Sequence, residues 1–304
     1  MPRSLILILC LSLAACSTLA ERQALGPRLA QTAGWRWQVL DGGTFRLAAA
    51  TAPLTASSRL VVFLEGDGFA YVRPTQPSRN PTPSDPVALR LALAQPRGTP
   101  PLDVAWLGRP CQYVSSPACR TADWTGRRYA PEILGSVDAA LDQLKRQSGA
   151  RTLVLVGYSG GGAIAALLAA RRPDVAALIT VVADLDLDYW TRRDDLSPLV
   201  GSLDPAEAAP ALGRLPQAHF AGSDDAVVGP DVTRAYLRHL PPGAPARLLV
   251  IPGFTHACCW SRDWPALQRQ VADLIRAGAV RAAATPPAQR PGPSDTTPSA
   301  PAAD

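Results

Sequence analysis

The five residues Gly157-Tyr158-Ser159-Gly160-Gly161 join an apolar run, TLVLV, to an alanine-rich stretch, AIAALLAARR. A glycine-rich turn between a strand and a helix can cradle a phosphate or present a nucleophile. The dinucleotide fingerprint needs a glycine where Ser159 stands, and a Walker loop needs a Gly-Lys pair that this turn lacks. What fits is G-x-S-x-G, a sharp turn that holds its serine in a strained conformation. Small residues are then required two positions to either side, and Gly157 and Gly161 meet that need. The hydroxyl of Ser159 would stand at the start of the following helix, whose dipole favours developing negative charge.

A serine nucleophile needs a general base and an acid to orient it. The chain has three histidines. His239 lies in RAYLRHL, an amphipathic helical pattern, and reads as a surface residue; His219 lies inside the strand-like run PQAHFAG. His256 follows the run ARLLVIPG in the short loop GFTHACC, the place from which a catalytic histidine would hang. An acid is expected in HFAGSDDAVVGP, where Asp225 is the first choice and Asp224 the alternative. The acid would fix the histidine tautomer and stabilise the imidazolium. An oxyanion hole would take one N–H from Gly160 and a second from the loop Glu65-Gly66-Asp67-Gly68, with Asp67 or Gly68 as donor. Each such donor is worth about 3–4 kcal/mol in the transition state. Glu65 and Asp67 could instead pair on a metal ion, but no further ligands lie near them in sequence, and the expectation is no metal and no cofactor.

These groups need a frame. Apolar runs recur at 35–40, 44–50, 59–66, 102–108, 151–157, 177–185, 216–222 and 246–253. The first two alternate enough for an antiparallel edge pair, and the others are continuous, as in strands covered on both faces. Helical patterns fall between them, at DPVALRLALAQ, YAPEILGSVDAALDQLKRQ, GGAIAALLAARR, PDVTRAYLRHL and DWPALQRQVADLIRAG. Alternating strands and helices imply crossover units and a mostly parallel sheet. One α/β domain over residues 34–281 is expected, with about eight strands. Residues 184–215 have the length of a small helical cap; Tyr158, Trp124, Tyr189 and Trp190 are candidates to line an apolar pocket, with a core position the first expectation for any one of them.

The 304 residues are 47% hydrophobic and 18% charged, an ordinary globular balance. The net charge of +5 is spread over scattered arginines, which argues against nucleic acid as a partner. The N-terminus reads MPRSLILILCLSLAAC, with basic Arg3, an apolar run from Leu5 to Leu13, and small residues before Cys16. That run is too short to span a bilayer, which takes about 20 residues, and reads as an export signal over residues 1–15. Leu13-Ala14-Ala15-Cys16 resembles a bacterial lipobox, with Cys16 as the acylated residue and 16–33 as a tether; Ser17, by resemblance to Gram-negative sorting rules, points to the outer membrane. In an oxidising compartment Cys111, Cys119, Cys258 and Cys259 suggest two disulfides. Cys111 with Cys119 would close a short loop; Cys258 and Cys259 could bond each other or take separate partners, including a tie from the His256 loop to the 111–119 loop. The Ala/Pro/Thr/Ser-rich residues 282–304 cannot bury a core and are expected to be disordered.

Taken together, residues of about 35–280 resemble the α/β-hydrolase fold, whose order is nucleophile, acid, histidine. More narrowly they resemble exported proteobacterial α/β-hydrolase lipoproteins, on the LEGDG loop, the segment RPCQY (109–113) and the ending H-x-C-C-W (256–260). The family pattern G-x-x-D-x-x-V falls on Gly222, Asp225 and Val228, which favours Asp225. Glu-Gly at 65–66 replaces the family's more usual His-Gly. The resemblance implies a serine hydrolase of esters, thioesters or amides, acting through Ser159, His256 and Asp225. Its partners would be a small-molecule or lipid acyl substrate and, through the N-terminal lipid, a membrane; the oligomeric state is open. Two other readings are an envelope acyltransferase with the same triad and a non-catalytic binding lipoprotein on a hydrolase scaffold.

Overall fold

A computed structural model of the chain describes residues 18–99 and 101–272. The export signal, Cys10, Cys16 and the 282–304 tail lie outside the described residues. The eight expected strands form one sheet: β1 (Arg36–Asp41), β2 (Arg46–Thr51), β3 (Arg59–Leu64), β4 (Asp103–Leu107), β5 (Thr152–Tyr158), β6 (Val175–Val181), β7 (Gln217–Gly222) and β8 (Ala246–Ile251). Their spatial order is β1-β2-β4-β3-β5-β6-β7-β8. The β1–β2 and β2–β4 pairs are antiparallel and all others parallel. β5 and β6 are buried along almost their whole length, which is why they read as unbroken apolar runs. After β3 the chain steps outward to β4 and then returns to lay β5 on the other side of β3. That reversal opens a crevice beyond the carboxyl ends of β3 and β5.

Each face of the sheet buries its own core. One face packs against α3 (Pro131–Ser148) and α4 (Gly160–Ala169), through Ile133, Val137, Leu141, Ile164 and Leu168. α3 presents its apolar residues at helical spacing, begins with Pro131 and ends on Gly149 in the left-handed region, where only glycine is unstrained. The opposite face packs against α2 (Val87–Ala94) and α8 (Trp260–Leu267), with Trp260 and Trp264 fully buried.

Two segments depart from expectation. Residues 16–33 were expected as a tether, yet Leu19–Thr32 is a helix, α1, opened by a Thr18–Glu21 capping box and packed on the domain. Its buried residues are Arg22, Gly26 and Ala30, one per turn, and none is a large apolar side chain. The Arg22 guanidinium donates to Thr82 O at 2.9 Å and lies over the Phe69 ring, while Gly26 meets Trp37 and Tyr113. No broad apolar stripe announced this helix because its fully buried positions carry an arginine and two small residues, with Leu29 only partly buried beside them. A short hairpin over 71–73 and 76–77 was likewise not anticipated.

Candidate active site

Ser159 sits between the end of β5 and the start of α4 with φ 49° and ψ −129°, a left-handed backbone that a non-glycine residue adopts only when its surroundings enforce it. The enforcement is steric. A Cβ on Gly157 would strike Gly161 and Gly162, and one on Gly161 would strike the Leu64 and Glu65 carbonyls at the end of β3. Gly162 is under the same constraint, against Ala183, though the five-residue motif does not include it.

The loops after β7 and β8 bring the other two groups to the serine. His256 Nε2 lies 3.0 Å from Ser159 Oγ, and His256 Nδ1 lies 3.0 Å from Asp225 Oδ2 and 3.2 Å from Oδ1. Asp225 also accepts hydrogen bonds from the Val227 and Val228 amides, at 2.8 and 3.1 Å. Burial opposes ionisation of Asp225, but His256 and those amides hold its carboxyl below the usual range. Asp224 is exposed and accepts from Ser223 Oγ at 2.7 Å, and no bond between it and His256 is present among the described residues. His219 is fully buried against Thr180 Oγ1, with burial pushing its pKa down to about 3, and His239 is exposed beside Asp186. The His256 carbonyl is fixed by the Tyr158 hydroxyl at 3.0 Å and the Trp260 indole at 3.2 Å.

The Glu65–Gly68 loop forms the opposite wall of the crevice. Gly66 lies closest to the serine: a Cβ there would meet Tyr158 O at 3.2 Å and Ser159 Cβ at 3.3 Å. Gly68 is left-handed, φ 68°, and packs against the Pro81 carbonyl. The Glu65 side chain points away from solvent and accepts from the Gly66, Ala88 and Leu89 amides and the Trp106 indole, at 2.9–3.3 Å. Burial raises its pKa to about 7 against the pull of those donors. Asp67 is held by the guanidiniums of Arg109 and Arg128. Burial opposes its ionisation, and the two arginines keep it below the usual range. Glu65 and Asp67 thus accept from separate sets of donors, backbone amides and an indole for the one and two guanidiniums for the other.

Behind Asp67 lies a cluster that spacing alone could not identify. The Tyr129 hydroxyl donates to Asp184 Oδ2 and lies 3.4 Å from Asp67 Oδ1. Gln112 bridges the Gly66 carbonyl, 2.8 Å, and the Arg109 amide, 3.2 Å. A methyl group on Gly160 would collide with Asp67, Tyr129 and Arg109, so this cluster abuts the residue that follows Ser159. Arg109 and Gln112 belong to the RPCQY segment, the one signal in the sequence that pointed here.

Ser159, His256, Asp67, Arg128, Asp184 and Trp190 share the wall of a cavity of about 460 Å³. Of the four candidate aromatics, Tyr158 and Trp190 line it. Trp124 is instead buried in the core with its indole on Ser78 O, and Tyr189 faces a separate surface groove. The expected cap contains α5 (Leu187–Arg193) and α6 (Pro205–Ala208). It is fastened to the loop after β7 by Trp190 Nε1 on Val227 O, 2.9 Å, and Arg193 Nη1 on Val228 O, 2.8 Å. Cys111 and Cys119 are bridged, and Cys258 bonds its neighbour Cys259. The expected tie between the two cysteine loops is therefore corrected: with Cα atoms 5.9 Å apart, Cys111 and Cys119 satisfy each other locally.

A family model described as the alpha/beta hydrolase fold matches residues 115–209. Lipase LipV of Mycobacterium tuberculosis is 32% identical over 146 residues, which cover 43% of this chain and 55% of that lipase; the match thus spans about half of the relative's length. An alpha-beta serine hydrolase homologue from Coxiella burnetii superposes with a TM-score of 0.54 at 17% identity, covering 79% of this chain and 96% of that one. Est1E from Butyrivibrio proteoclasticus gives 0.56 at 14% identity, covering 79% and 99%. Strand order, the strained serine turn and these likenesses agree: the chain adopts the α/β-hydrolase fold.

Proposed function

We propose that the protein is a serine hydrolase of carboxylic esters, thioesters or amides, with carboxylic esters foremost. The observation that carries this reading is the chain of contacts Ser159 Oγ, His256 Nε2, His256 Nδ1, Asp225, each link 3.0 Å. Ser159 Oγ attacks the acyl carbonyl as His256 Nε2 takes its proton; Asp225 keeps Nδ1 protonated and stabilises the imidazolium. The tetrahedral oxyanion is met by the Gly160 N–H, at the start of α4, and by an N–H of the Gly66–Gly68 loop. His256 then protonates the departing alcohol, thiol or amine, leaving an acyl-serine. Water, deprotonated by His256, releases the acid and restores Ser159.

The similarity to a lipase over part of the chain supports the ester choice. A fluorophosphonate probe tests the nucleophile: adduct is expected on the peptide bearing Ser159, and none in Ser159→Ala or His256→Ala. A folded wild-type protein that takes no probe would contradict the reading. For location we infer a lipid-anchored protein of the bacterial envelope, on the periplasmic face of the outer membrane, supported by the Leu13-Ala14-Ala15-Cys16 tetrapeptide. Incorporation of a palmitate analogue, lost in Cys16→Ser, is the expected result; equal labelling of both would contradict it.

A further inference from the structure

The loop beside Ser159 is held from behind by one side chain that the triad does not use. Gln112 is 1% exposed and stands outside the cavity lining. Its Nε2 donates to the Gly66 carbonyl at 2.8 Å, and its Oε1 accepts from the Arg109 amide at 3.2 Å. Each end of the side-chain amide meets a backbone group of the opposite kind, so its orientation is fixed. The residues on either side, Cys111 at φ 69° and Tyr113 at φ 60°, both lie in the left-handed region without being glycine. Such backbone persists only where its surroundings enforce it, and it concentrates at functional sites. The Cys111–Cys119 bridge pins one of these neighbours, and the Tyr113 amide, donating to Thr82 Oγ1 at 2.8 Å, pins the other.

The Gly66–Asp67 peptide is trans, and a planar trans peptide carries its C=O and N–H on opposite edges. With the Gly66 carbonyl turned back onto buried Gln112, the N–H of the same peptide, that of Asp67, points the other way, toward the cavity that Ser159 lines. That N–H takes no backbone acceptor among the described residues. Gly66 is close to the nucleophile, since a Cβ built on it would lie 3.3 Å from Ser159 Cβ. The Asp67 side chain is held separately by Arg109 and Arg128. Arg109 and Gln112 belong to one segment, RPCQY, which thus grips both the side chain and the peptide of residue 67. We propose that Gln112 is a positioning residue of the oxyanion hole: by holding the Gly66 carbonyl it keeps the Asp67 N–H aimed, beside that of Gly160, at the oxygen that becomes the oxyanion. This rests on the reading of Ser159 as nucleophile. A donor fixed beforehand needs no reorganisation as charge develops. Without Gln112 the peptide beside a glycine is free to rotate, and its N–H loses a single direction.

The test uses 4-nitrophenyl acetate with Gln112→Met, which keeps the length of the side chain and removes its donor. Gln112→Ala, which adds no new apolar contact, is the second variant. The rate of acylation, read from the nitrophenolate burst, is expected to fall about ten- to a hundredfold, up to the cost of one lost oxyanion donor, with substrate affinity nearly unchanged. An infrared spectrum of the acetyl-enzyme reads the hole itself. Hydrogen bonds to the acyl oxygen lower its carbonyl stretch, so the stretch should move to higher frequency in both variants. A merely structural role would lower the melting temperature while leaving the acylation rate per folded molecule and the stretch as in the wild type, and that result would overturn the proposal. So would failure of both variants to fold, which would place Gln112 in the fold rather than in the hole. The same experiment separates the two claims. A wild type that takes no acetyl on Ser159 defeats the nucleophile, while an acetylated wild type whose rate and stretch both variants match defeats only Gln112.

Discussion

The two walls of the crevice are built in opposite ways. On one side Ser159, His256 and Asp225 each hang from the loop after a separate strand, and one chain of hydrogen bonds links them. On the other, Asp67, Arg109, Arg128, Tyr129 and Asp184 converge from four loops into a buried charge cluster pressed against Gly160. The first wall is a set of parts whose chemistry follows from residue type and order. The second gains meaning only from packing: any one of its members, read singly, is an ordinary charged or aromatic residue. The difference teaches that one crevice can be legible on one side from residue type and order and on the other only from packing.

Substitutions can sharpen that contrast. The largest expected effect is at the nucleophile: Ser159→Ala should lower kcat by about 10⁴–10⁶-fold with an unchanged circular dichroism spectrum, since triad members act as a unit. Turnover at the wild-type rate would break the first wall. Asp225→Asn should cost about 10⁴-fold in kcat by disfavouring the working tautomer of His256, whereas Asp224→Asn, at an exposed side chain, should leave kcat as it is. Equal losses in the two variants would misassign the acid. For the second wall, Asp67→Ala leaves two buried guanidiniums without their carboxylate and should lower folding stability by about 3 kcal/mol. Urea denaturation reads this directly, and an unchanged midpoint would mean that the cluster contributes nothing.

A smaller effect separates the walls by pH. Burial, reinforced by Asp67, lifts Asp184 from 3.8 to about 6, and burial lifts Glu65 from 4.5 to about 7. Across that window the folded protein holds protons that the unfolded chain has released, so these groups make stability fall as pH rises through it. Asp184→Asn should make the fall shallower, as read by denaturation midpoints at several pH values; an identical slope would contradict the burial argument. The smallest effect is expected at Tyr158→Phe. Loss of its bond to the His256 carbonyl should cost about 1 kcal/mol, and the Trp260 indole still holds that carbonyl. A loss comparable to that of His256→Ala would mean that Tyr158 does more than position the loop.

Much of the frame was legible because its signals are local. Continuous apolar runs mark β3 to β7, and Gly157 and Gly161 announce a turn that admits no Cβ. His256 was singled out as a candidate by its place after the run that forms β8, and it lies 3.0 Å from Ser159 Oγ. Other features were silent for physical reasons. The fully buried positions of helix α1 are Arg22, Gly26 and Ala30, with Leu29 partly buried beside them, so it carries no broad hydrophobic stripe. Aromatic type does not encode direction: of the four aromatic candidates Tyr158 and Trp190 line the cavity, while Trp124 lies in the core and Tyr189 faces another groove. Asp184 reads as one acid in the run DLDLD, and only its burial against the Tyr129 hydroxyl distinguishes it.

The central claim is that Ser159 carries the acyl group between the two halves of the reaction. Mixing the protein with 4-nitrophenyl acetate, quenching in acid before turnover is complete, and mapping the peptides by mass tests it most directly. The account predicts an acetyl group on the Ser159 peptide, formed in a burst of nitrophenolate and absent from Ser159→Ala. Acetyl on another residue, or a burst that survives in Ser159→Ala, would contradict it.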